Sequence, residues 1–152
     1  MKLDIHWKER MKFVATDGTQ ELAMDGKPPF GDGSALSPKQ LVLAGLAGCT
    51  GIDVVSLLRK YKQPLEKLSM SVDAPQTEGH PAKFSQATIV FEFTGALDAE
   101  KVIEAVHLSQ TRYCGVSAML ADSFPISYRV LLNGTEIHAG RADFTPNKGT
   151  EE

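Results

Sequence analysis

Leu3, Ile5 and Trp7 alternate with Lys2, Asp4, His6 and Lys8, a period of two that predicts a strand over 2–9. A second strand is predicted over 11–16 and a third over 19–25, with Asp17-Gly18 and Asp25-Gly26 as turn signals. Residues 26–36 are rich in glycine and proline and read as a loop. Ser37 then offers an N-cap and Pro38 a first helical position, so a long helix is predicted from Pro38 to about Lys62, closed by Pro64. Strands are predicted over 65–74 and 87–95, with a loop around Pro75, Gly79 and Pro81 between them. Asp98 caps a second helix that carries Val102, Ala105, Val106 and Leu108 on one face. Cys114-Gly115 breaks or bends it, and a short helix continues to Asp122. A strand over 125–134, an Asn133-Gly134 turn and a strand over 135–140 complete the pattern. Strands and helices segregated in this way predict an α+β class. A single domain is expected over 1–140, with 141–152 as a polar, disordered tail.

The first long helix is unusual. Gln40 to Leu58 is nearly uncharged and close to the length of a membrane span. It nevertheless contains Asp53 and three glycines, Gly45, Gly48 and Gly51, between soluble-looking strands, so a buried core helix is expected and not a membrane segment. Each glycine costs about 1 kcal/mol against alanine inside a helix. Three together point to close approach by another helix or another chain.

The chain has 152 residues and a net charge of −3, with its lysines and arginines scattered. Phosphate recognition needs a basic face, so nucleic acid is not an expected partner. The N-terminus is charged and alternating and lacks the apolar stretch of a secretory leader, which points to the cytoplasm. His6, His80, His107 and His138 have no metal-ligand spacing, and no phosphate loop, dinucleotide fingerprint, zinc pattern or serine elbow occurs. No metal or cofactor is expected.

Two cysteines remain. Cys49 lies in LVLAGLAGCTGIDVVSLL, four residues before Asp53 and on its helix face. A mid-helix thiol gains little from the helix dipole, so lowering its pKa would need a cation; Arg10, Lys12, Lys39 and Arg112 are the candidates. Cys114 follows Arg112-Tyr113 and precedes Gly115, and a helix beginning there would lower its pKa. Packing alone would account for two apolar cysteines.

The segments SPKQLVLAGLAGCTGIDVV and LSQTRYCGVSAMLADSFPISYRV resemble the two cysteine segments of the OsmC/Ohr family, in its OsmC-like branch, and the order of elements also matches over most of residues 1–140. The resemblance implies antiparallel sheets around long central helices in an interlocked homodimer. It implies an organic hydroperoxide reductase for oxidative stress defence, in which Cys49 aligns with the peroxidatic thiol and Cys114 with the resolving thiol. It further implies an external dithiol reductant, of lipoyl type. One position departs from the family. A glutamate ten residues before the first cysteine, which orients an N-terminal arginine against the thiol, is Lys39 here. Arg10 is the candidate for that arginine. Lys39 is either a substitute cation or a solvated first-turn residue. Asp53 and Tyr113 are candidate pocket residues; Asp53 alternatively pairs helices, and Tyr113 alternatively packs. The departure at Lys39 keeps a second reading open: a non-catalytic module that binds an apolar or lipoyl-like ligand at the dimer interface.

Overall fold

The computed structural model describes residues 1–145. Most of the tail expected to be disordered therefore lies outside the described residues. The chain separates into two compact units, Met1–Ala44 and Gly45–Glu152. The division falls inside the long helix.

The first unit holds a three-stranded antiparallel meander of β1 (Asp4–Glu9), β2 (Lys12–Thr16) and β3 (Glu21–Met24). Asp17 ties the β2–β3 turn by accepting from the backbone N–H of Thr19 and of Gln20. Trp7 pairs with Phe13 and Phe13 with Met24, while Ile5 pairs with Ala15 and Ala15 with Leu22. Directly opposed residues share a sheet face, so these six side chains form one apolar face. Ile5, Trp7, Phe13 and Leu22 on that face are exposed within the chain.

Helix α1 (Pro38–Lys60) starts at Ser37, whose Oγ accepts from the backbone N–H of Gln40 while Gln40 Oε1 accepts from the Ser37 N–H. This reciprocal cap fixes the predicted start. The helix is long and apolar enough to cross a bilayer by length and composition. Yet Leu46, Thr50, Val54 and Leu58, spaced four apart, are fully buried, and all but Thr50 belong to the core cluster of the second unit. The expectation of a helix buried all round needs correction for the single chain: only this stripe is fully covered, and Val42 and Ile52 stand exposed.

The second unit carries a four-stranded sheet in the order β4 (Lys67–Asp73), β5 (Ala87–Thr94), β6 (Ile126–Leu132), β7 (Thr135–Arg141). The expectation of purely antiparallel sheets is corrected at its centre, where β5 and β6 run parallel. The cause is the connection: α2 (Ala99–Leu108), a π-turn (Ser109–Tyr113) and α3 (Gly115–Ala121) lie between them, and a helical crossover returns a strand in the same direction. β5 alternates strictly, burying Ala87, Ile89, Phe91 and Phe93. Its partner positions Ile126, Tyr128 and Val130 on β6 are buried too. Val102, Ala105 and Val106 of α2 join the same core. Each such large side chain contributes about 1.5–3 kcal/mol by leaving water. Asn133 and Gly134 both have positive φ, the geometry that closes a two-residue hairpin between β6 and β7.

Candidate active site: two neighbouring thiols

Cys49 and Cys114 are both free thiols; Cys49 is partly exposed and Cys114 is buried completely. They come from α1 and from the junction of the π-turn with α3, 65 positions apart in sequence, and the fold brings them near each other, close enough for Cys49 to act electrostatically on Cys114. The junction is sharp because Cys114 leaves the helix with extended backbone (φ −72°, ψ 102°) and becomes the N-cap of α3. Its Sγ accepts the backbone N–H of Ser117 at 3.3 Å.

The sequence predicts a Cys114 pKa lowered by the start of a helix. The structure corrects the sign. Burial pushes the thiol above its ordinary value; the Ser117 hydroxyl and N–H pull it down less than that; and Cys49 adds a further upward push. Desolvation disfavours the thiolate more than two donors favour it.

Around the pair lies a set of buried polar side chains that the sequence reading passed over: Thr50, Ser109, Gln110 and Ser117, all fully buried. Ser109 Oγ donates to Asp53 Oδ2 at 3.0 Å, Thr50 Oγ1 and Ser109 Oγ are 2.6 Å apart, and Gln110 Nε2 donates to Thr50 Oγ1 at 2.7 Å and to Ser117 Oγ at 3.2 Å. A signal existed. Thr50 stands on the helix stripe set by Leu46 and Val54, and Ser109-Gln110 interrupts an apolar helix face just before a cysteine.

Asp53 reaches the π-turn through Ser109 and, with Ser56, Leu57 and Tyr113, lines a pocket of 330 Å³. Tyr113 is half exposed, and the Arg112 guanidinium lies 5.5 Å from its ring centre. Arg10 belongs to the first unit. It turns between β1 and β2 with φ +46°, ion-pairs with Asp32 at 2.7 Å and donates to the carbonyls of Pro29 and Phe30. Lys39 is in the first turn of α1, also in the first unit. Among the described residues no cluster of three or more His, Cys, Asp or Glu could hold a metal ion.

Fold and site thus define an α+β protein with a neighbouring pair of thiols. The OsmC-like protein family model matches residues 31–129. The chain belongs to the OsmC-like family. It is 32% identical over 130 residues to Protein YhfA of Escherichia coli strain K12, which spans 84% of this chain and 95% of YhfA. An OsmC-like protein from Mycoplasma pneumoniae superposes with a TM-score of 0.75 at 18% identity, over 87% of this chain and 97% of that one. The organic hydroperoxide resistance protein OhrB of Bacillus subtilis superposes with a TM-score of 0.60 at 17% identity, over 87% and 96%. At those identities the two structures share the fold.

Proposed function

We propose that the protein is a two-cysteine organic hydroperoxide reductase, with Cys49 as the attacking thiol and Cys114 as its resolver. The observation that carries this reading is the proximity of a partly exposed Cys49 to a fully buried Cys114. A peroxide arriving from solvent meets Cys49 first. Its thiolate attacks one oxygen of the O–O bond, giving a sulfenic acid and an alkoxide that leaves as the alcohol after taking up a proton. The Cys114 sulfur then attacks the Cys49 sulfur. The S–O bond breaks, the oxygen departs as water, and a disulfide remains. A dithiol of lipoyl type, in a reducing compartment such as the cytoplasm, returns both thiols by exchange. Arg10, Lys39 and Arg112 stay candidates for the cation that favours the Cys49 thiolate. The name of OhrB supports the substrate class.

The working form in this proposal is a homodimer. Two features support it: the apolar face of the β1–β3 meander stands open, and alanine side chains at Gly45 or Gly48 would meet nothing within 4 Å in their own chain. Glycines without an intrachain reason in a helix fit a second helix packed on them.

The test is to treat reduced protein with excess cumene hydroperoxide and count thiols. Wild type loses both to an intramolecular disulfide, and Cys114→Ala yields a Cys49 sulfenic acid that a cyclic dione traps. Survival of both wild-type thiols refutes the reading. A second reading, a binding module without turnover, is favoured by a 730 Å³ groove walled by Ile52, Val55, Leu68 and Met70, with Arg59 at its edge. Such a groove suits an apolar chain ending in a carboxylate. Tight binding of an alkanoic acid by a Cys49→Ser variant, with no turnover in wild type, would select it.

A further inference from the structure

One cleft on the second unit has walls from two elements that only the fold brings together. The end of α2 and the π-turn supply His107, Thr111 and Arg112; the end of β7 and the residues after it supply Arg141, Asp143 and Phe144. A backbone hydrogen bond ties the walls to each other, from the Asp143 N–H to the Gln110 carbonyl at 3.1 Å. The Ala142 N–H donates to the Ile126 carbonyl at 2.9 Å, which keeps the chain on the sheet beyond β7. The cleft encloses about 810 Å³, within the range of roughly 300–1,000 Å³ usual for small-molecule sites.

Its charge runs against that of the chain. The net charge of the chain is −3, yet the cleft collects two arginines and a histidine against one carboxylate. Arg10 and Arg129 are ion-paired elsewhere, with Asp32 and Glu136. Among the described residues no carboxylate pairs with Arg112 or Arg141, and neither guanidinium donates a hydrogen bond. Arg112 lies over the Tyr113 ring at 5.5 Å, which orders the guanidinium without supplying an acceptor oxygen. Asp143 is engaged locally: its Oδ1 accepts from the Thr145 N–H at 2.9 Å and from the Thr145 hydroxyl at 2.5 Å.

Arginine stays charged at every working pH, and its planar fork of N–H donors matches two oxygens of one carboxylate or phosphate. A concave wall of one sign concentrates counter-ions of the other. Half-buried Leu108 and Phe144 add apolar surface to the same cleft. We propose that this cleft binds a small organic oxyanion, a phosphate or carboxylate on an aromatic or apolar body, with Arg112 and Arg141 donating to its oxygens from the two walls. The proposal involves neither thiol and stands apart from the peroxidase reading.

The experiment titrates the full chain with phenyl phosphate and, separately, with benzoate, and follows the backbone amides by NMR. Saturable shifts centred on 107–112 and 141–145 are expected, and the tighter probe names the oxyanion. Arg141→Gln, at an exposed position, is expected to weaken binding by about tenfold or more, the effect of losing a hydrogen bond between charged groups. Arg112→Gln on the facing wall is expected to do the same, and it decides if Arg141→Gln does not fold. Lys67→Gln removes the same charge from β4, at the other edge of the sheet from β7. Three strand spacings, about 14 Å, exceed the screening length of about 8 Å at physiological salt, so Lys67→Gln is expected to leave the affinity unchanged. Three results would overturn the proposal. One is no saturable shift with either probe up to about 10 mM. Another is equal weakening by Arg141→Gln and Lys67→Gln, the mark of general charge attraction. The third is equally tight binding of neutral benzyl alcohol.

Discussion

Replacing Thr50 by valine exchanges a hydroxyl for a methyl group at a fully buried position, so shape changes little and polarity changes completely. Thr50 Oγ1 makes two hydrogen bonds, at 2.6 Å to Ser109 and 2.7 Å from Gln110. Ser109 keeps its bond to Asp53 after the change, but one Gln110 N–H is left buried with no acceptor. A buried polar group left unpaired costs about 1–3 kcal/mol, and Ser109 loses one net hydrogen bond of about 1 kcal/mol. Thr50→Val is therefore expected to destabilise the fold by about 2–4 kcal/mol, lowering Tm by roughly 5–15 °C for a chain of this size. Urea unfolding at one fixed protein concentration measures it, since association would otherwise shift the midpoint. The Thr50→Val/Gln110→Leu double variant separates the causes: it removes the stranded donor and is expected to cost at least about 1 kcal/mol less than the sum of the singles. A Thr50→Val loss below about 0.5 kcal/mol, or strict additivity in the double variant, would refute the reasoning.

Gly48→Ala meets no atom of its own chain and improves helix propensity by about 1 kcal/mol, so a monomer would gain stability. If a second helix packs there, sedimentation will instead reveal a weakened dimer. At Gly140 an added Cβ would lie 2.6 Å from Tyr128 Cζ and Oη, so Gly140→Ala is expected to cost about 1–3 kcal/mol in urea unfolding. The Cys114 thiol is held above its ordinary value, so the folded chain retains a proton that the unfolded chain has already lost. Its stabilising contribution is full below the unfolded pKa, near about 8.5, and falls as pH rises toward the folded pKa. Urea midpoints between about pH 7 and pH 10 should drop, and drop less in Cys114→Ala. Asp17, held to about 2 chiefly by the backbone N–H groups of Gln20 and Thr19 and then by the Thr19 hydroxyl, is expected to titrate near that value by carboxyl NMR.

Much of the fold was legible because local rules agreed with each other. Ser37-Pro38 marks the start of α1, Asp98 caps α2 by accepting from the Glu100 and Lys101 N–H groups, and Asn133-Gly134 closes a hairpin, each at its predicted place. The parallel pairing of β5 with β6 was not legible, since periodicity reports faces and not strand direction. The thiols were visible as residues and the family resemblance implied their pairing, but no local pattern could, because the pairing joins segments that only the tertiary fold assembles. The sign of the Cys114 shift was missed for a related reason. A helix start can be read from Gly115, whereas complete burial depends on what packs over it. Thr50, Ser109, Gln110 and Ser117 look like ordinary interruptions in apolar segments, and only their mutual distances turn them into a connected set.

The π-turn at Ser109–Tyr113 closes with the Cys114 N–H donating to the Ser109 carbonyl, five residues back, at 3.0 Å, while the Thr111 hydroxyl donates to the His107 carbonyl at 2.8 Å. An α-helix advances about 100° per residue, so one residue of slack in that turn resets the angular phase of everything after it. The face of α2 that meets the sheet and the azimuth of the Cys114 sulfur are thereby set separately. Removing one residue within 109–113 would let an ordinary α-helix run on and would swing the thiol by roughly a quarter turn, with Val102, Ala105 and Val106 still seated. A single insertion or deletion here is thus a lever on whether two sulfurs can meet.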